Sequence, residues 1–82
     1  MKQHTITSPK ILGQALKAAR QKKRLTQAEL GKLTGVEQKT VSSAENGSPG
    51  IRLDTFFRLL SGLNLNIILE MREKSNTNQG QW

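Results

Sequence analysis

The 82-residue sequence has no cysteine, no tyrosine, a single histidine, and six acidic residues against thirteen Lys and Arg. Without cysteine there is no disulfide framework, thiolate metal site or cysteine nucleophile, and the chain suits a reducing cytosol. His4 lies in a polar N-terminal stretch with no second histidine or nearby carboxylate pair to support a catalytic or metal-ligating role. The acids are scattered, and no glycine-rich phosphate loop, metal-ligand spacing or serine-histidine-acid pattern occurs. Neither an enzyme nor a bound metal or cofactor is therefore expected. No apolar run approaches the roughly 20 residues of a membrane span and no signal-peptide pattern opens the chain, so a cytoplasmic protein without a membrane partner is expected.

What is present points to a small basic domain. A chain this short buries only about 60% of its unfolded surface, and a second subunit is a common source of further core. The net charge of +7 is concentrated: residues 1–41 carry nine Lys and Arg against Glu29 and Glu37, whereas the remainder balances four against four. Such asymmetry favours a polyanion, nucleic acid first. Lys22, Lys23 and Arg24 also close a predicted helix, where cations suit the helix dipole, so that cluster has a purely structural reading as well. Anionic lipid and RNA are weaker partners, because the first helix lacks large aromatic anchors and both Phe residues lie in a core stripe.

Periodicity and capping signals predict four helices. Ser8-Pro9 opens the first, with Leu12, Ala15, Leu16 and Ala19 as its apolar stripe and an end near Lys23. Thr26-Gln27-Ala28-Glu29 is a capping box for a second, with Ala28, Leu30 and Leu33 apolar and Gly35 as its stop. Glu37 to Glu45 forms the third, with Val41 and Ala44 inward and Gln38, Lys39, Thr40, Ser42 and Ser43 outward. Beyond the breaker Asn46-Gly47-Ser48-Pro49-Gly50, the residues Leu53, Phe56, Phe57, Leu60 and Leu63 mark a fourth, and Leu59 widens its stripe. Leu65, Ile67, Leu69 and Met71 alternate with Asn66, Ile68 and Glu70 as in a strand. A lone strand has no partner within one chain, so antiparallel pairing with a second copy is expected; continuation of the fourth helix is the alternative.

The fold class expected is therefore all-α: a helix-turn-helix bundle of four to five helices with one C-terminal β-strand pairing across a homodimer. Residues 1–7 read as a flexible start, 8–63 as the domain, 64–72 as the dimerisation strand and 73–82 as a disordered polar tail ending in Trp82. That tryptophan is either an end of no consequence or an aromatic anchor for a partner's pocket.

Two short helices joined by a tight turn, the second polar on its outer face, are the parts of a helix-turn-helix. A small residue at Gly31 lets the two approach. Leu25-Thr26-Gln27-Ala28-Glu29-Leu30, Gly35-Val36, Gln38, Val41 and Glu45-Asn46-Gly47 resemble the Cro/C1-type repressor family over residues 10–63. The resemblance implies that the third helix enters the major groove of a double-stranded operator with an inverted repeat. Gln38, Lys39, Thr40, Ser42 and Ser43 would then face bases or phosphates, and Gln27 and Asn46 would bond the DNA backbone. The chemistry fits: Gln pairs bidentately with adenine and Lys donates to guanine, each good pair discriminating by about 1 to 3 kcal/mol. Arg52 either reaches a phosphate or the minor groove, or sits in water. Arg20 and Glu45 occupy family positions that pair across helices one and three, which implies an internal salt bridge. Glu37 is an awkward acid beside DNA phosphates.

Ser8-Pro9, the Thr55-Phe56-Phe57 helix, the Leu65 to Met71 strand and the tail ending in Trp82 also resemble HipB-type antitoxins. That resemblance implies a dimer that represses its own operon and a HipA-type serine/threonine kinase toxin as partner, engaged through Trp82. A freestanding regulator with no toxin is the alternative.

Overall fold

The computed structural model describes residues 4–72. Four helices follow in order: α1 Pro9–Lys22, α2 Gln27–Thr34, α3 Gln38–Glu45 and α4 Leu53–Gly62. Their ends are set by local hydrogen bonding. Ser8 is extended, and its hydroxyl accepts the Ile11 N–H at 3.2 Å ahead of Pro9 in the first turn. Thr26 Oγ1 accepts the Glu29 N–H at 3.0 Å while Glu29 Oε1 accepts the Thr26 N–H at 2.8 Å, completing the capping box. Gly35 closes α2 at φ 75°, in the left-handed region where a residue without Cβ is least strained.

Every helix contributes to one core: Leu16 and Ala19 from α1, Leu30 from α2, Val41 and Ala44 from α3, and Phe56, Leu59 and Leu60 from α4, with Val36 and Leu63 from the turns. Two close approaches hold the helices in place. A Cβ added to Gly31 would collide with the Val36 carbonyl oxygen in the turn leading into α3, so the expected small-residue contact falls on that turn. A Cβ on Gly13 would stand 2.5 Å from the carbonyl oxygens of both Ala44 and Glu45, which brings α1 against the end of α3.

Several expectations need correction. Ala28 and Leu33 are exposed, leaving Leu30 as the buried apolar residue of α2. On α4, Leu53 and Phe57 are exposed, Phe57 by 51%, while Leu59 is fully buried. Leu53 and Phe57, expected in the apolar stripe, fall outside it, because α4 packs against α2 and presents Phe56, Leu59 and Leu60 to the interior, with Leu63 following at its C-cap. Helix four does not continue: it ends at Gly62, and Asn64 turns left-handed at φ 58°.

The Leu65 to Met71 strand is not formed, and there is no strand among the described residues. Leu65 packs against the core, Ile67 is half-exposed, and Leu69 and Met71 are 93% and 85% exposed. A ladder needs a second backbone, and the described residues supply none here. Residues 1–3 of the expected flexible start and the whole 73–82 tail with Trp82 lie outside the described residues.

Candidate nucleic-acid interface

The third helix is short, and its inward face is fully used: Val41 and Ala44 enter the core and Glu45 turns inward to an ion pair. Its remaining surface is polar throughout. Gln38, Lys39 and Asn46 are exposed, and Thr40, Ser42 and Ser43 are half-buried at the margins of that face. Five hydrogen-bonding side chains within α3, followed by Asn46 at its C-cap, therefore share one element held by helices on the other side. A helix so arranged can enter a major groove without losing any core contact.

The scaffold beneath it is an ion-pair network. Arg20 Nε donates to Glu45 Oε2 at 2.6 Å and Nη2 donates to Oε1 at 3.0 Å, a bidentate bridge with both side chains buried. Arg20 Nη1 donates to the Leu25 carbonyl at 2.8 Å, tying the α1–α2 turn to the same centre. The hydrogen bond to Glu45 raises the Arg20 pKa above its ordinary value, against desolvation that lowers it. The internal bridge between Arg20 and Glu45 is thus present, as the resemblance implied.

Gln27 opens α2 and is half-buried. Its Nε2 donates to Glu45 Oε1 at 3.0 Å, so the structure joins it to the base of α3. No sequence signal pointed to this bond, because it spans eighteen residues between two helices. Arg52 stands apart, preceding α4 as its N-cap residue. It is exposed and donates to the Asp54 carboxylate at 3.0 and 3.4 Å. That hydrogen bond holds the Asp54 carboxyl below the usual carboxylate range. Glu37 is the N-cap residue of α3, exposed, with no side-chain capping bond. Its carboxylate suits the helix dipole there, which gives this acid a structural reason to precede a polar recognition surface.

Among the described residues no three or more His, Cys, Asp or Glu side chains converge as a metal site, and no helix is long and apolar enough to cross a membrane.

A helix-turn-helix family profile, HTH_3, matches residues 16–69. Antitoxin HipB of Escherichia coli strain K12 is 42% identical over 64 residues, covering 78% of this chain and 73% of that protein. Among solved structures, a HipB variant in an O2 20mer complex superposes with a TM-score of 0.80 at 40% identity, over 89% of this chain and all of that one. A HipA-HipB-O2-O3 complex gives a TM-score of 0.79 at 39% identity, over 88% of this chain and all of the matched one.

Proposed function

For a chain that belongs to the HTH_3 helix-turn-helix family, and within it to the HipB antitoxins, we propose a dimeric repressor and antitoxin of the cytoplasm. It binds a palindromic double-stranded operator and neutralises a HipA-type serine/threonine kinase toxin. The observation that carries this reading is the polar outer face of α3, locked to α1 and α2 through Arg20, Glu45 and Gln27, in a chain similar over nearly its whole length to HipB in complexes.

Two α3 helices enter successive major grooves about one helical turn apart. Gln38 and Lys39, the most exposed of the set, read base edges; Thr40, Ser42 and Ser43 add shorter contacts, and Gln27 and Asn46 hold backbone phosphates. Arg52 reaches a phosphate by exchanging its exposed Asp54 partner. Leu65, Ile67, Leu69 and Met71 pair with the same segment of a second copy, forming the strand that one chain cannot form alone and removing exposed apolar surface from water. Residues 8–63 serve DNA, 64–72 dimerisation and the 73–82 tail the toxin, with Trp82 as its anchor.

The experiment is a paired measurement. Full-length protein should prefer an inverted-repeat duplex over scrambled DNA, with log affinity falling against log salt at a slope of roughly −5 to −9 for about six to ten neutralised phosphates. N-terminally tagged protein, with and without Trp82, is then recovered from the native cytoplasm. A kinase-sized partner held only by the full-length form supports the antitoxin reading. No partner with either form leaves a freestanding regulator, and a salt slope near zero overturns the DNA reading.

A further inference from the structure

Helices α1 and α4 end in the same way. After α1, the Lys23 N–H donates to the Ala19 and Arg20 carbonyls, the Arg24 N–H to Gln21, and the Leu25 N–H back to Arg20 at 3.2 Å. After α4, the Leu63 N–H donates to Leu59 and Leu60, the Asn64 N–H to Ser61, and the Leu65 N–H back to Leu60 at 2.9 Å. Arg24 and Asn64 are the two non-glycine residues at positive φ among those described, at 59° and 58°, and each is followed by a leucine packed on the core. The geometry is shared, but the residue types are not equivalent. Asparagine visits the left-handed region readily, whereas a long side chain pays for its Cβ there.

Arg24 gains nothing visible in return within the fold. Lys22, Lys23 and Arg24 are all exposed, and none makes a salt bridge among the described residues, where the two bridges are Arg20–Glu45 and Arg52–Asp54. The nearest acid in sequence, Glu29, is bonded back to the Thr26 N–H. Three cations without a salt bridge among the described residues thus cluster at the last residue of α1 and the turn after it. That turn is fixed relative to α3, because the Leu25 carbonyl accepts from the same guanidinium that grips Glu45. It also runs straight into Gln27 at the start of α2.

We infer that Arg24 is kept at a conformational cost because the Lys22-Lys23-Arg24 turn holds a DNA backbone phosphate flanking the bases read by α3, one for each protomer. This rests on the DNA-binding reading above and adds an element to it. The turn contacts no base, so it strengthens binding without changing which sequence is preferred.

The test compares the full-length chain with Arg24→Asn and Arg24→Lys, measuring thermal stability and affinity for the selected inverted-repeat duplex across a salt series. Arg24→Asn should melt a few degrees higher, bind roughly tenfold more weakly near physiological salt, and show a slope shallower by about 2 per dimer, since each lost phosphate contact removes about 0.9. Arg24→Lys should keep the slope and stay within about threefold in affinity. An Asn variant with unchanged affinity and slope, beside a wild type that binds steeply, overturns this inference alone. So does an Asn variant that melts no higher than wild type, since no cost would then have been borne. A wild type with no salt-dependent DNA binding overturns both this inference and the reading beneath it.

Discussion

Glu45 is buried at the end of α3, where its carboxylate is the meeting point of a side-chain network. One carboxylate receives two bonds from Arg20 and a third from Gln27, joining three helices below the recognition surface. Removing one partner of a buried pair strands the other charge, so Glu45→Ala should lose about 3 to 5 kcal/mol in urea unfolding. A loss below about 1 kcal/mol would place the bridge among ordinary surface pairs. Folding raises the Arg20 pKa, so the stability this adds is complete below the ordinary arginine value and is lost only as pH rises through the raised one. Arg20 therefore contributes no pH dependence across the neutral range. The Arg52–Asp54 pair contrasts with this, being exposed on both sides. The lowered Asp54 pKa gives a contribution present above the usual carboxylate range and lost in acid, and solvent screening keeps it small. On the outer face, Lys39→Ala discriminates two roles: relaxed base preference marks a base contact, whereas a shallower salt slope at unchanged preference marks a phosphate contact.

At the level of whole helices, intrinsic propensity and packing pull in opposite directions. Gly13 lies inside α1, where alanine is favoured over glycine by about 1 kcal/mol. Yet its Cβ would meet two carbonyl oxygens of α3 at 2.5 Å, and these belong to backbone that cannot rotate away. Packing should win, with Gly13→Ala destabilising by about 1 to 3 kcal/mol in thermal or urea melts; a more stable variant would mean that α1 can back away from α3 freely. Glu37 offers the reverse case. It precedes α3 without a capping bond, and in the proposed DNA complex its charge would oppose the phosphates. Glu37→Ser supplies a cap hydroxyl and removes that charge, so stability should hold or rise by about 0.5 to 1 kcal/mol and operator affinity should increase, as titration against the inverted repeat would show.

Considered as a whole, one protomer leaves Ile67, Ile68, Leu69 and Met71 open to water, together with Leu33, Leu53 and Phe57 on α2 and α4. This is a large apolar exposure for so small a domain, and it accords with a protein completed by association. Ile67→Asp with Leu69→Asp should shift the protein to monomers in sedimentation and sharply weaken operator binding, because two half-sites are no longer held by one dimer. Deleting residues 79–82 should spare operator binding while weakening capture of the proposed HipA-type partner. Loss of DNA binding at low salt on that deletion would mean that tail and DNA surface are not separate.

The sequence by itself determined the start of α1 and both ends of α2, because caps depend on groups within a few residues: Ser8 with Ile11, Thr26 with Glu29, and Gly35 at its left-handed turn. It also placed the polar face of α3, since Val41 and Ala44 mark the opposite side, and the family positions of Arg20 and Glu45 anticipated their bridge. Only the tertiary structure decided which apolar residues of α2 and α4 are buried. Leu59 lies inside while Leu33, Leu53 and Phe57 do not, because burial depends on what packs opposite, and period alone does not supply the neighbour. The bond from Gln27 to Glu45 and the contact of Gly13 with α3 were equally hidden, each joining residues far apart in sequence. Leu65 to Met71 carries a strand's alternation but forms no strand, for the backbone partner that would complete it is not supplied by the other described residues.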